Sequence, residues 1–463
     1  MSIKPLHPAH LGHQHLSITA DELLKRTHSR CPVCRARLEA EVWKTGGLRS
    51  RILLKRTCPN HGRFETCIAT DARFYWLAHG SGSCGGGDAC RSADGSTRGT
   101  LGRNADPGDA LGIQEKLSTC LALIEIVNSC NLACPTCYAD SPHGNAPHAG
   151  VVPLPDLKRR IQGVIDRKGG IEILQLSGGE PTLHPEFFEL LQWLHANPGI
   201  DYVLLNTNGL RIASDPSFAE RLGRTFRYGK FQLYLQFDGP QEEEQVKLRG
   251  GDFRRVRERC LERCLEMKIP VTLAMTVTPG NLPFLWSAVE FGLRWPNVRG
   301  LSFQPMFGSG RVPGGQGERR LNTADIILAT VEQSAGKLKY DDFTPLPCGD
   351  PNCATIGYLL KAGKEVRSIS DFVNFENLQG FLGTKVRYKL EDLMKCGCDS
   401  EPLGQLLKEF ELDESHTFRL FIKPFMDAWS WDEDRIDRCC THVIRPDGKL
   451  DSFCRYYSGF PEE

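Results

Sequence analysis

The sequence predicts an α/β protein whose centre is an open (β/α)6 partial barrel bracketed by cysteine-rich ends. Three observations carry this. Apolar, β-rich runs alternate with amphipathic segments from residue 120 onward. Polar and glycine-rich residues collect where most of those runs end. Of the 19 cysteines, only Cys260 and Cys264 fall between residues 138 and 347.

The apolar runs cover residues 120–127, 171–177, 202–208, 231–237, 271–277 and 301–307. Amphipathic segments such as 157–168, 185–195 and 253–267 lie between them. Near-continuous apolar strands alternating with helices indicate a parallel sheet covered by helices. Six units are too few for a closed eight-fold barrel and suit an open one. In parallel barrels the chemistry sits at the C-terminal ends of the strands. Strand one ends at the Cys130 loop and strand two at Ser177-Gly178-Gly179-Glu180-Pro181. Strand three ends at Asn206-Thr207-Asn208-Gly209 and strand four at Asp238-Gly239. The division expected is a metal-binding domain over 1–80, a Gly/Ser-rich, cysteine-containing linker over 81–119, the barrel over 120–340 and a C-terminal cysteine-rich domain over 341–463.

Composition narrows the function. The chain has 463 residues and a formal net charge of zero. That argues against nucleic acid as a partner. No run approaches the roughly 18 apolar residues of a membrane span. The N-terminal segment lacks the apolar core of a signal peptide, so the cytoplasm is the expected location. Without an export signal, so many cysteines point to metal rather than disulfides.

Cys130, Cys134 and Cys137 follow strand one with spacing C-x3-C-x2-C. Three thiolates on a tight loop can hold three corners of a [4Fe–4S] cube and leave one iron open, whereas ordinary ferredoxin clusters use four cysteines. A closed zinc knuckle would need a fourth ligand nearby, and the loop offers none before His143. The motif resembles that of the radical S-adenosylmethionine superfamily. The resemblance implies that the open iron takes the amino and carboxylate groups of S-adenosylmethionine. Reductive cleavage then yields a 5′-deoxyadenosyl radical that abstracts hydrogen from substrate. Gly178-Gly179-Glu180-Pro181 is similar to the family's GGEP segment, which implies that Gly178, Gly179 and Glu180 bind the cofactor's amino group. Asn206, Asn208 and Asp238, at comparable strand ends, are candidates to contact ribose or adenine.

The outer cysteines suggest further metals. Cys31-Pro-Val-Cys34 and Cys58-Pro-Asn-His61 resemble a rubredoxin-like or zinc-ribbon site for one iron or zinc ion. The fourth ligand could be His61, Cys67 or one of Cys84 and Cys90. Toward the C-terminus stand Cys348, Cys353, Cys396, Cys398, Cys439, Cys440 and Cys454. A turn at Pro446-Asp447-Gly448 would return Cys454 toward Cys439 and Cys440. Cys348, Cys353, Cys439, Cys440 and Cys454 are expected to gather near the open end of the barrel and to supply most ligands of an auxiliary [4Fe–4S] cluster. Cys260 and Cys264, at i and i+4, read as buried small hydrophobes.

Segments 58–62, 120–139, 235–239, 248–253, 345–353, 421–429 and 439–454 extend the resemblance over nearly the whole chain. They are similar to the subfamily that contains archaeal tetraether-lipid synthases, described also as pterin methylases. Cys84, Cys90 and Cys120 stand where that subfamily has a tighter cysteine group. The resemblance implies hydrogen abstraction from an unactivated carbon and carbon–carbon bond formation on a lipid-like substrate. The alternatives are alkylation or methylation of a small heterocycle such as a pterin, and peptide modification. A flavodoxin- or ferredoxin-type electron donor and a small-molecule or lipid substrate are the expected partners, with peripheral membrane contact in the lipid case.

Overall fold

The computed structural model describes residues 20–77, 119–143, 150–312, 320–346, 349–362, 365–368, 371 and 416–460. Strands β1 (Glu22–Arg30), β2 (Arg37–Lys44), β3 (Ile52–Cys58) and β4 (Gly62–Ala69) form an antiparallel sheet in chain order. Alternation sets its faces: on β2, Leu38, Ala40 and Val42 are buried, while Arg37 and Glu39 are exposed. The core beneath is small, built from Ala40, Val42, Ile52, Leu54 and Ala69. Units of this size ordinarily need a staple such as a metal.

The six expected strands are β5 (Leu121–Val127), β6 (Ile171–Gly178), β7 (Ile200–Thr207), β8 (Phe231–Gln236), β9 (Val271–Val277) and β10 (Val298–Pro305). They pair in parallel and in chain order. Eight helices pack around them: α1 (Leu154–Lys168), α2 (Phe187–Ala196), α3 (Leu210–Ser214), α4 (Pro216–Thr225), α5 (Glu242–Arg249), α6 (Arg254–Glu266), α7 (Leu285–Leu293) and α8 (Thr323–Gln333). In α1 the buried positions Leu154, Leu157, Ile161, Val164 and Ile165 make one stripe, and left-handed Gly169 ends the helix. Asp215 caps α4 by accepting from Phe218 N–H. Cys260 and Cys264 are fully buried on α6, in line with the hydrophobic reading.

The sheet does not stop at six strands. Beyond β10 lie β14 (Thr417–Ile422), parallel to it, and then β12 (Thr355–Ala362), antiparallel. Strands β11 (Thr344–Pro345) and β13 (Glu365–Ser368) both pair with β12. On the other edge, β15 (Thr441–Ile444) adds parallel to β5, and β16 (Leu450–Ser452) pairs antiparallel to β15. The Pro446-Asp447-Gly448 hairpin forms, with Gly448 N–H donating to Arg445 O at 2.9 Å. Two short helices, α9 (Glu433–Asp437) and α10 (Phe453–Ser458), complete this part. The C-terminal segment therefore extends both edges of the barrel sheet.

The N-terminal sheet docks on the same C-terminal segment. Lys25 pairs with Asp432 at 2.8 Å and with Asp434 at 2.9 Å. Buried Arg56 donates to the carbonyls of Ala428 and Trp429 at 3.1 and 2.9 Å. Among the described residues, no helix is long and apolar enough to cross a membrane.

Candidate active site and metal centres

The N-terminal site is built by two facing turns. In the β1–β2 turn, Arg35 N–H donates to Cys31 O and Cys31 N–H to Ala36 O, each at 2.9 Å. This presents the Cys31 and Cys34 thiols. The β3–β4 turn presents Cys58 and His61. The four ligand atoms lie within 4.8 Å of one another. His61 Nδ1 is 3.7 Å from Cys31 Sγ and 3.5 Å from Cys58 Sγ. Of the fourth ligands considered, the geometry selects His61. Cys67 points elsewhere, its thiol donating to Ala69 O at 3.4 Å. Burial raises the Cys31 pKa, but N–H groups of Cys34 and Val33 outweigh it and bring the thiol down to about 7. Three thiols and one imidazole at this spacing fit a closed tetrahedral site for one ion.

Cys130, Cys134 and Cys137 line a second site, a cavity of about 340 Å³ inside the barrel. Their loop is pinned from several sides. Cys137 and Arg311 exchange backbone hydrogen bonds, both 2.9 Å, and Thr136 Oγ1 donates to Leu248 O at 2.9 Å. Left-handed Gly310 lies so close that a Cβ there would meet Cys137 O at 2.2 Å. Burial pushes the Cys130 thiol up to about 12 and raises Cys134 as well. Such thiols keep their protons until a metal replaces them. The donor set fits an iron–sulfur cluster. Leu132 N–H points at Cys130 Sγ at 3.4 Å and Asn208 Nδ2 at 3.9 Å, the kind of hydrogen bonds that tune cluster sulfurs.

Gly178 and Gly179 are required by the chain itself. A Cβ on Gly178 would meet Val127 O at 2.0 Å, and one on Gly179 would meet Ser129 O at 2.1 Å. Gly179 N–H donates to Val127 O at 2.7 Å and Glu180 N–H to Ser129 O at 3.0 Å. The glycines thus clamp the end of β6 to the cysteine loop.

Glu180 is almost wholly committed to the chain. Its Oε1 accepts from Thr182 N–H, Thr182 Oγ1 and Thr207 Oγ1 at 3.2, 2.7 and 2.8 Å. Its Oε2 accepts from Asn208 N–H at 2.8 Å. A carboxylate offers about four lone-pair sites, so Oε2 alone keeps capacity for an ammonium group. Full burial raises its pKa against those hydrogen bonds.

Asn206 and Asn208 line the cavity. Asn206 donates to Ser177 Oγ at 3.2 Å, and Asn208 to Asn131 Oδ1 at 2.7 Å. Asp238 departs from the expectation of a ribose or adenine contact, since the cavity lining does not include it. Its buried, left-handed backbone (φ 62°) aims the carboxylate at Arg249. Arg249 Nε and Nη2 grip Asp238 at 2.6 and 2.9 Å, and Thr276 N–H adds a third bond at 3.0 Å. Burial raises the Asp238 pKa, but Arg249 and the hydrogen bonds reverse it and hold the carboxylate below its usual range. Arg249 lines the cavity beside Cys134 and donates to Thr136 O at 3.3 Å. Sequence reasoning missed Arg249. Its only signal was its place in the segment 248–253.

Cys353, Cys439 and Cys440 line the same cavity, as does Cys120. Cys454 is buried behind them, accepting from Met426 N–H at 3.3 Å. Burial raises the Cys353, Cys439 and Cys454 thiol pKa values, and the three are close enough to add to it: Cys454 acts on Cys439, Cys353 on Cys454 and Cys439 on Cys353. Their place differs from the expected one. Cys120 and Leu121 N–H groups donate to Cys440 O at 3.1 and 3.2 Å, at the start of β5, whereas Cys130 follows its end. The two cysteine groups thus face the cavity from opposite ends of a strand about 20 Å long, because β15 enters the sheet alongside the first residues of β5. Cys84, Cys90 and Cys348 lie outside the described residues.

Between the cysteine groups the barrel strands present a polar interior. Tyr202 OH donates to Gln232 Oε1 at 3.2 Å, and Gln232 donates in turn to Thr272 Oγ1. Gln304 donates to Tyr234 OH at 2.6 Å, and Arg257 to Gln236 Oε1 at 3.0 Å. An aromatic group closes one side, with Tyr138 stacked 6.4 Å from Phe307 and Phe425 4.1 Å from Phe453.

Residues 124–283 match the model of the radical SAM superfamily, and residues 23–70 match that of the HMPTM N-terminal zinc ribbon domain. A 7,8-dihydro-6-hydroxymethylpterin dimethyltransferase of Methanocaldococcus jannaschii is 27% identical over 93% of each chain. A GTP 3′,8-cyclase of Syntrophomonas wolfei is 28% identical over 40% of this chain and 55% of its own. Among solved structures, Streptococcus suis SuiB bound to S-adenosylmethionine is 18% identical over 40% of each chain, with a TM-score of 0.34. With an open parallel barrel, three cysteines following its first strand and a superfamily model that matches residues 124–283, the chain carries the radical SAM core of an enzyme.

Proposed function

We propose that this enzyme alkylates or methylates a small polar heterocycle of the pterin class. The observation that carries the reading is the barrel interior. Gln175, Asn206, Gln232, Gln236, Thr272 and Gln304 line the cavity. Amide and hydroxyl groups at this density match the donors and acceptors around a pterin ring. They offer little to a lipid chain, which has no donor or acceptor for the capacity each amide keeps beyond its partner in the chain. The aromatic side chains Tyr138, Phe307 and Phe425 give a flat ring faces to stack on. The dimethyltransferase relative, similar over nearly the whole chain, supports the same substrate class. The lining thus favours the heterocycle over carbon–carbon bond formation on a lipid.

In this reading Cys130, Cys134 and Cys137 hold the [4Fe–4S] cluster. Bound there with S-adenosylmethionine, it supplies the hydrogen-abstracting power of the superfamily. The chain's own residues do the rest. Gly178 and Gly179 keep the end of β6 against the cluster loop, and Glu180 aligns the ends of β6 and β7. Asn206 and Asn208 offer polar contacts to the cofactor. Arg249, oriented by Asp238, sets a positive charge beside Cys134. Cys353, Cys439, Cys440 and Cys454 supply ligands of an auxiliary [4Fe–4S] cluster at the far end of the cavity. Cys31, Cys34, Cys58 and His61 hold one zinc ion, the imidazole favouring zinc over a rubredoxin-like iron. A flavodoxin- or ferredoxin-type protein in the cytoplasm supplies the electron.

The test is direct. Anaerobically reduced, cluster-loaded protein with S-adenosylmethionine should form 5′-deoxyadenosine. Addition of 7,8-dihydro-6-hydroxymethylpterin should raise that rate and yield a pterin product of increased mass. Stimulation by a phospholipid and not by the pterin would overturn the reading.

A further inference from the structure

The cavity holds two cations, Arg419 and Lys423, with which no carboxylate among the described residues pairs. Arg249, Arg299, Arg311, Arg419 and Lys423 line it, and among the described residues Glu180 is the one carboxylate that does. Arg249 is paired with Asp238 and Arg311 with Asp140. Glu180 is occupied by its four chain donors. The other three cations belong to one wall, made by β10 and β14. Arg419, Phe421 and Lys423 alternate along the inner face of β14 and just beyond its end. Arg419 stands opposite Gly300 on β10, next to Arg299. The fold makes room for it, since a Cβ on Gly300 would meet Arg419 O at 2.4 Å and Arg419 Cβ at 3.0 Å. Among the described residues, no carboxylate pairs with Arg419. Lys423 is bonded to the neutral hydroxyl of Thr441 at 3.0 Å. A guanidinium does not shed its proton in a protein. A charge in a low-dielectric cavity is retained where something of opposite sign meets it.

We propose that this wall binds an anionic group carried by the substrate, a phosphate ester or a carboxylate, with Arg419 as its principal contact and Lys423 further along. This rests on the function proposed above and adds to it. The substrate is an anion-bearing heterocycle, and its charged end points away from Cys130, toward the beginning of the barrel strands. The bland alternative is that Lys423 serves only as a counter-ion for the nearby Cys439 and Cys454 thiolates.

Equilibrium binding to cluster-loaded protein separates these cases. The probes are 6-hydroxymethylpterin, its phosphate ester, pterin-6-carboxylate, inorganic phosphate and the short-chain phospholipid dihexanoyl phosphatidylglycerol. The phosphate ester or the carboxylate should bind about 10- to 100-fold more tightly than the neutral pterin, the range of one charge-assisted contact. Arg419→Gln should remove that advantage and leave neutral pterin binding unchanged, while Arg419→Lys restores part of it. Iron content and melting temperature of each variant report whether the fold and clusters are intact. Equal binding of neutral and anionic pterins by the unmodified protein overturns the anion site and leaves the pterin reading standing. Tight, Arg419-dependent binding of the phospholipid with no binding of any pterin keeps the anion site and overturns the heterocycle. Loss of iron from Lys423→Gln with unchanged anion affinity assigns Lys423 to the metal and removes it from the site.

Discussion

The N-terminal site and the barrel site both start from closely spaced cysteines, yet they are opposite in construction. The ribbon brings four ligand atoms within 4.8 Å of one another from two adjacent hairpin turns. All four ligands fall between residues 31 and 61. The barrel site takes three cysteines from one loop and holds them with groups from every quarter: Val127 and Gly179, Leu248 and Arg249, Gly310 and Arg311. One site is complete and closed. The other is left open toward a cavity, and its rigidity is borrowed from the whole barrel. Closure suits a staple, and an open position suits a reaction.

That contrast can be broken in order of effect. The largest change should follow Cys130→Ala, Cys134→Ala or Cys137→Ala. Each should bring 5′-deoxyadenosine formation down to background while the ribbon keeps its metal, as read by elemental analysis. Residual cleavage in any of them would remove the cluster assignment. Next is the ribbon. Metal binding is folding free energy in such small units, on the order of 10 kcal/mol for zinc. Cys31→Ser or His61→Ala should therefore expose β1–β4 to protease well before the barrel, and cofactor cleavage should survive in the intact remainder. Simultaneous loss of both would mean that the two sites are not independent.

A third test sharpens the barrel side. Asp238→Asn leaves the Arg249 guanidinium buried without its carboxylate, a change that costs about 3–5 kcal/mol. The denaturation midpoint should fall accordingly, and iron should be retained less well. An unchanged midpoint would show that Arg249 has a second anchor. Glu180→Gln should be milder, roughly 1–3 kcal/mol, because the amide nitrogen faces donors where the carboxylate accepted. It should also slow cofactor cleavage.

The smallest effect is one of pH, and it lies at neither site. His195 on α2 is buried, and neither ring nitrogen has a hydrogen-bond partner among the described residues. Burial, with Arg227 and Lys230 nearby, holds its pKa down to about 4. The unfolded chain binds that proton near pH 6.5, so the stability due to the neutral ring is complete above that pH and declines as pH falls toward 4. His195→Phe should flatten this part of the acid limb in a denaturation series. A limb that stays equally steep would assign acid loss to the metal sites.

The sequence made the barrel legible because each strand is a continuous apolar run, and the six expected runs match the observed strands to within a few residues. The C-x3-C-x2-C loop, the ribbon cysteines and the Pro446-Asp447-Gly448 hairpin were legible because their geometry is local. Arg249, the choice of His61 over Cys67 and the seating of β14 and β15 on the sheet edges were not. Each depends on which distant segments meet, and neither periodicity nor spacing encodes that. Asp238 shows the cost: a carboxylate at a strand end reads as a ligand contact, while the fold spends it on an arginine eleven residues on.

The seating of β15 beside β5 has a consequence for how the enzyme is made. The strand that opens the barrel gains its outer neighbour only when residues 441–443 have been synthesised, 320 positions after their partners at 121–123. Until then one edge of the nascent sheet stays open, with the cysteine loop and the polar interior behind it. The first strand of the barrel therefore keeps an unpaired edge until β15 is made and docks on it.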